Sequence, residues 1–409
     1  MRRRSLLFSL LLLVVAVSGA AARTLSAAIP QPQLTLTVTD GATAAGPALP
    51  WPKTGSGVLV LQGVGTVGAH RPDLPLPIAS LAKVMTAVVV LSDHPLRPGE
   101  QGPPVPVTAA DAADFLARIP SGQSLLAVQP GERLTERQAL EGLLLPSANN
   151  IADILARWDG GRSTFLARMN ATAQRAGATS TRYTDPSGLD PATVSTATNQ
   201  VRIATLALRV PGLIAIAAER TATLPVAGRV RNYNRLLSSR AGVFGLKTGS
   251  TPETGGCLVL LARLRVGTGT VTVVGALLGV HRGEPPLIAL DAALTAASSL
   301  LKAARVQARP VVPAGLVVAR LRTAWGPQAT VVVSRPPLAL MLPGEGFRVS
   351  GRLRCNPPAS SGHQVRRAAC DHRRRTEWNN DIRRADRTLG QPGRTQPPLA
   401  GSPRLPTAQ

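Results

Sequence analysis

Ser80-Leu81-Ala82-Lys83 sets a hydroxyl and an amine three residues apart, a spacing that puts both on one face of a helix. A serine attacks a carbonyl only if something takes its proton. A lysine can do so once burial or a second cation pulls its pKa well under the ordinary value of about 10.4. Arginine cannot. Only four of the 46 basic residues are lysine, namely Lys53, Lys83, Lys247 and Lys302. Lys83 runs into Val84, Met85, Thr86, Ala87, Val88, Val89 and Val90, an apolar context foreign to a solvated surface lysine. Ser80 follows Pro77 and is expected where a helix begins, with free N–H groups suited to an oxyanion. The plain alternative is a capping serine with a surface lysine.

Two further groups carry usable chemistry. Ser147-Ala148-Asn149 follows Pro146 at the expected start of another helix. It supplies a second hydroxyl and an amide, or else an ordinary N-cap. Lys247-Thr248-Gly249-Ser250 follows the apolar run Val243 to Leu246. An extended segment with Gly249 lets a ligand backbone come close, and Lys247 is the expected cation that depresses Lys83. The tetrapeptide is not specific, since Lys53-Thr54-Gly55-Ser56 is a second copy. That copy has no strand before it and is given no role.

The elements that must position these groups are readable from pattern. Val58–Gln62 and Val64–Val67 read as strands, and Ser80–Leu91 as a buried helix. Residues 108–117, 134–145, 147–158 and 163–177 read as helices, the second introduced by Pro130-Gly131 and Thr135. Strand character returns at 221–227, 243–247, 256–266 and 270–280, followed by a helix at 287–305. Strands, a helical insertion, strands and a closing helix predict an α/β fold of the α+β type. Its antiparallel sheet is flanked by helices, with an all-helical subdomain at about 101–218.

Around this body, residues 1–22 combine Arg2–Arg4, an apolar run from Leu6 to Val17 and small residues, as an export signal does. Uncleaved, the segment serves instead as a membrane anchor. Either way the body is expected outside the cytoplasm. Residues 23–55 read as a Pro/Gly-rich tether, 56–305 as the main domain and 306–350 as a small β module, truncated if the following residues are out of frame. Residues 351–409, dense in Arg and Pro, read as a disordered tail, either native or a frameshift product. A hydrophobic share of 44% excludes full disorder, and three cysteines exclude a disulfide scaffold. The five histidines lie at no metal-ligand spacing, so a metal is not expected; no organic cofactor is implied either. The net charge of +24 suits an anionic wall or membrane. With only 3% aromatics it does not suit a base-stacking nucleic-acid site.

The three motifs in this order resemble those of the penicillin-binding, active-site-serine D-alanyl-D-alanine carboxypeptidases of low molecular mass. Pro77 to Ala87, Pro130-Gly131-Glu132, Leu143 to Asn150 and Thr184 to Asp190 extend the likeness over roughly residues 56–305. The resemblance implies a β-lactamase/transpeptidase-like fold and a peptidoglycan stem peptide ending in D-Ala-D-Ala as substrate, with β-lactams as covalent inhibitors. It implies Ser80 as nucleophile, Lys83 as base and Ser147 as proton relay. Asn149 would hold the substrate amide, Lys247 would tune the site, and Thr248 would bind the terminal carboxylate beside Gly249. The N–H groups of Ser80 and Ser250 would form the oxyanion hole. Arg282 is the candidate cationic partner of the carboxylate. A class A β-lactamase needs a glutamate between the second and third motifs, and none occurs between Gly142 and Ala218. No G-x-S-x-G elbow supports a Ser-His-Asp hydrolase. The remaining alternatives are a D,D-endopeptidase and a non-catalytic penicillin- or wall-binding module.

Overall fold

The computed structural model describes residues 48–63, 65–239, 242–266 and 269–307. It also gives the short strands Gln33–Leu36, Gly41–Ala42, Val317–Arg322, Ala329–Val332 and Gly346–Phe347. The segment 1–22 and the stretch 351–409 lie outside the described residues.

Strand β1 (Ser56–Leu61) pairs with β2 (Gly65–His70), and the chain returns to this sheet only after the helices, as β3 (Val243–Thr251), β4 (Gly255–Val266) and β5 (Gly269–Val280). The order is β3-β4-β5-β1-β2, antiparallel throughout, so β3 is an edge. Successive strand residues face opposite sides, and both faces are apolar. Cys257, Val259 and Leu261 join the core shared with the helical layer. Leu258, Leu260, Ala262 and Leu264 join a second core.

Helix α1 (Ala82–Asp93) is buried from Ala82 through Leu91, as a surface apolar all round except at Lys83 and Thr86 requires. Around it lie α2 (Ala109–Arg118), α3 (Glu136–Leu144), α4 (Asn149–Trp158), α5 (Arg162–Arg175), α6 (Ala197–Ala207) and α7 (Pro211–Ala217); α3 to α7 pack on it directly and α2 packs on α4. Thr108 and Thr135 start α2 and α3 with capping boxes to Asp111 and Gln138. The closing helix α8 (Pro286–Gln307) covers the other sheet face through Ala293, Ala297, Leu300 and Ala304. It is the one helix among the described residues long and apolar enough to cross a bilayer, and 44% of its most apolar window is buried.

Four expectations change. Ser80 lies in a 3-10 turn (Ala79–Leu81), and α1 begins only at Ala82. The 221–227 run is a hairpin, Thr221–Leu224 with Gly228–Arg231, because Pro225 and Gly228 (φ 67°) force a turn. The strand read at 243–247 continues to Thr251, so the whole third motif is extended. The stretch read as a tether is structured in part. Leu49 and Trp51 pack on the second core, and Gln33–Leu36 pairs with Val317–Arg322, which pairs with Ala329–Val332. The residues before and after the main domain thus share one sheet.

Candidate active site

Ser80 reaches its position through a forced turn. Ala79 stands at φ 46° and Ser147 at φ 65°, left-handed backbone that costs a non-glycine residue on the order of 1–2 kcal/mol. Two glycines hold the Ser80 turn from either side. Gly188, at φ 76°, leaves a Cβ no room, since one would lie 1.8 Å from the Ala79 carbonyl oxygen. At Gly249 on β3 a Cβ would lie 2.8 Å from the Ser80 nitrogen. The third motif therefore runs directly against the Ser80 amide.

Lys83 is fully buried one helical turn on, and its Nζ donates to three acceptors. These are Ser80 Oγ at 2.8 Å, Asn149 Oδ1 at 2.7 Å and the Ser187 carbonyl at 2.8 Å. Burial pulls its pKa down to about 7, against the opposing pull of Asp185 and Asp153. Lys247 Nζ donates to Ser147 Oγ and to the Thr248 carbonyl, both at 2.9 Å. It sits well below the ordinary lysine range, first through burial and then through the charge on Lys83. The expectation that Lys247 is what depresses Lys83 is thus revised, because burial depresses Lys83 and the charge effect runs from Lys83 to Lys247.

Ser147 is not a cap. The N-cap of α4 is Ala148, with no side-chain capping bond, and the Ser147 hydroxyl faces Lys247 instead. Asn149 opens the helix with Oδ1 on Lys83 and Nδ2 on Gln123 Oε1 at 2.9 Å. Two hydrogen-bonded groups, Ser80–Lys83–Asn149 and Ser147–Lys247, meet in one cluster where the Lys83 charge reaches Lys247 and Gly249 approaches Ser80, with Thr248 and Ser250 on the same edge strand. Arg282 is not joined to it. It is exposed on the turn after β5, beside Gly255, and makes no ion pair among the described residues. In the second copy of the tetrapeptide, Thr54 Oγ1 accepts from the His281 N–H at 3.1 Å and Lys53 is exposed, away from the cluster.

Sequence reading missed Gln123, the Ser187 carbonyl and the network beneath it. Asp185 accepts from the Ser187 and Leu189 amides and from Thr193 Oγ1, which fixes the turn that carries Ser187 and Gly188. Thr86 Oγ1 ties the same loop to α1 through the Pro186 carbonyl at 2.6 Å. The stretch Thr184 to Asp190 was visible as a block, but a backbone acceptor leaves no mark on residue type. Among the described residues no cluster of His, Cys, Asp and Glu could hold a metal.

An edge-stranded antiparallel sheet, a helical layer and a Ser/Lys, Ser/Asn, Lys/Thr/Gly cleft between them define the class of active-site-serine, penicillin-interacting folds. Residues 52–276 match the D-alanyl-D-alanine carboxypeptidase family, Peptidase S11, and the chain belongs to it. It is 37% identical over 198 residues to the D-alanyl-D-alanine carboxypeptidase DacB2 of Mycobacterium tuberculosis, covering 47% of this chain and 62% of that one. A D-alanyl-D-alanine endopeptidase of Pseudomonas aeruginosa is 34% identical over 220 residues, covering 51% and 66%. The chain thus spans just under two thirds of the length of these relatives. The crystal structure of the Streptomyces K15 DD-transpeptidase superposes with a TM-score of 0.53 at 27% identity, covering 65% of this chain and 98% of that one.

Proposed function

We propose that the protein is a serine D-alanyl-D-alanine carboxypeptidase that removes the terminal D-Ala from peptidoglycan stem peptides. The observation that carries this is the buried Lys83 amine, with a pKa of about 7, placed 2.8 Å from Ser80 Oγ. At neutral pH a large share of that amine is unprotonated and able to take the serine proton. Ser80 Oγ then bonds to the carbonyl carbon of the penultimate D-Ala. The oxyanion is received by the N–H groups of Ser80 and Ser250, and the C–N bond breaks. Ser147, held by Lys247, passes a proton to the departing D-Ala nitrogen, and water releases the acyl group from Ser80. Asn149 holds the substrate amide and Thr248 the terminal carboxylate, while Arg282, exposed beside Gly255, would have to swing its side chain in to serve as the cation at that end. The edge of β3 is open for the substrate to add as a strand.

The reaction calls on no metal or cofactor. The N-terminal apolar segment supports export to the wall or the outer face of the membrane, either cleaved or as an anchor. The domain boundaries given above, apart from the tether corrected there, are part of the same reading.

The test is intact-protein mass after incubation with benzylpenicillin, on the chain and on Ser80→Ala, beside release of D-alanine from a peptide ending in D-Ala-D-Ala. An adduct on the first protein alone, with D-alanine released, is expected. Cleavage of cross-linked dimers in preference to that peptide would favour the endopeptidase reading, to which the Pseudomonas relative's name points. A folded protein with no adduct would be a binding module.

A further inference from the structure

We propose that Gln123 is a positioning residue that aims the lone pair of Lys83 at Ser80, by fixing which way round the Asn149 amide sits. The proposal rests on the acyl-transfer reading above. Neutral lysine has two N–H donors and one lone pair. The three partners of Lys83 Nζ decide where each goes. The Ser187 carbonyl can only accept, so it takes one N–H. Asn149 Oδ1 can only accept, so it takes the second. The lone pair is left for the one partner that can donate, the Ser80 hydroxyl.

This assignment holds only while Asn149 presents its oxygen. Flipped, its Nδ2 would donate to Lys83 and compete with Ser80 for the lone pair. Gln123 opposes the flip, because its Oε1 accepts from Asn149 Nδ2 at 2.9 Å and would meet a second oxygen if the amide turned. Gln123 is itself oriented, since its Nε2 donates to Ser121 Oγ at 2.8 Å. The loop cannot drift from α4. The Asn149 N–H donates to the Ser124 carbonyl at 2.8 Å, and the Asn150 amide bonds both the Leu126 N–H and its carbonyl. Hydrogen bonds thus run one way, from Lys83 through Asn149 and Gln123 to Ser121. One Nδ2 hydrogen of Asn149 is left for a substrate carbonyl.

The experiment compares Gln123→Leu and Gln123→Glu with the unaltered protein, by the rate of acylation with benzylpenicillin across pH and by NMR titration of the four lysine side chains. Gln123→Leu frees the amide to flip. Acylation is expected to fall roughly three- to tenfold, the worth of one hydrogen bond, while the Lys83 midpoint moves down because a donor now stabilises its neutral form. Gln123→Glu keeps an acceptor but adds a negative charge. The Lys83 midpoint and the rate profile are expected to move up together by roughly half a unit or more, with the rate recovering above the shifted midpoint. A Gln123→Leu protein with unaltered rate and midpoint would overturn the proposal. So would equal losses in both variants with no change of midpoint, which is what a merely structural glutamine gives. If the unaltered protein is not acylated while the Lys83 midpoint still moves in opposite directions in the two variants, the acyl-transfer reading fails and the orientation of Asn149 stands.

Discussion

Two buried lysine amines facing one small cleft carry a consequence for stability as well as for chemistry. An unfolded chain returns Lys83 to about 10.4, while the folded protein holds it at about 7. Between those values the unfolded state binds the extra proton, so stability rises with pH across that window. Lys247, lowered by the same burial, acts in the same direction. The melting temperature is expected to climb from pH 7 toward pH 10, and Lys83→Met, a close apolar match in volume, is expected to flatten part of that climb. The unaltered protein's second-order acylation rate is expected to rise through about pH 7 and then level off, and Lys83→Met is expected to show no adduct. Calorimetry and a pH–rate series check both halves. A melting temperature indifferent to pH in the unaltered protein would mean that the two lysines are not desolvated as described.

The turn that presents Ser80 belongs to three elements at once, and its two glycines should fail differently. Gly188→Ala must push the Ala79 carbonyl aside and adopt positive φ. It is expected to cost at least about 2 kcal/mol of stability and to displace the nucleophile. Gly249→Ala meets only the Ser80 amide and the Ala79 methyl closely. It must also shift backbone, but at ordinary φ and against the Ser80 amide alone, so it is expected to cost less stability than Gly188→Ala while cutting acylation about a hundredfold, the cost of spoiling one oxyanion donor. Denaturation midpoints beside acylation rates separate the two, and equal stability losses would argue that both glycines serve folding alone. This turn also shows what sequence reading could reach. The apolar run after Lys83 announced the buried helix, and Thr135 after the Pro130-Gly131 turn announced α3, because both signals are local. The start of α1 at Ala82 was not legible. A positive φ at alanine is imposed by Gly188 and Gly249, which lie over a hundred residues downstream. The three motifs were legible through residue type and order. Gln123 and the Ser187 carbonyl were not, since one acts through an unremarkable amide and the other through backbone.

At the scale of the molecule, the described carboxylates in and around the stretch between the second and third motifs are spent on architecture. Glu141 and Glu219, the glutamates that flank the acid-poor stretch, both lie against Arg137. Within the stretch Asp153 pairs with Arg118 and Arg162, and Asp159 with Arg168. Asp185 holds the Ser187 turn and Asp190 caps its own loop through Thr184 Oγ1 and the Ala192 N–H. None of these is free to activate a water beside Ser80, so in the proposed reaction hydrolysis of the acyl group falls to Lys83, Ser147 and the space left by the departing amine. A linear peptide provides that space, because its D-Ala diffuses away. A penicillin does not, because the amine released from its lactam ring stays tethered to the acyl group and fills the place a water needs. The same serine is therefore expected to turn over D-Ala-D-Ala peptides repeatedly yet hold a penicilloyl adduct far longer than one peptide turnover. Following adduct mass with time after removal of free penicillin, alongside D-alanine release, measures both. Penicillin turnover as fast as peptide turnover would require a general base that this arrangement of carboxylates does not supply.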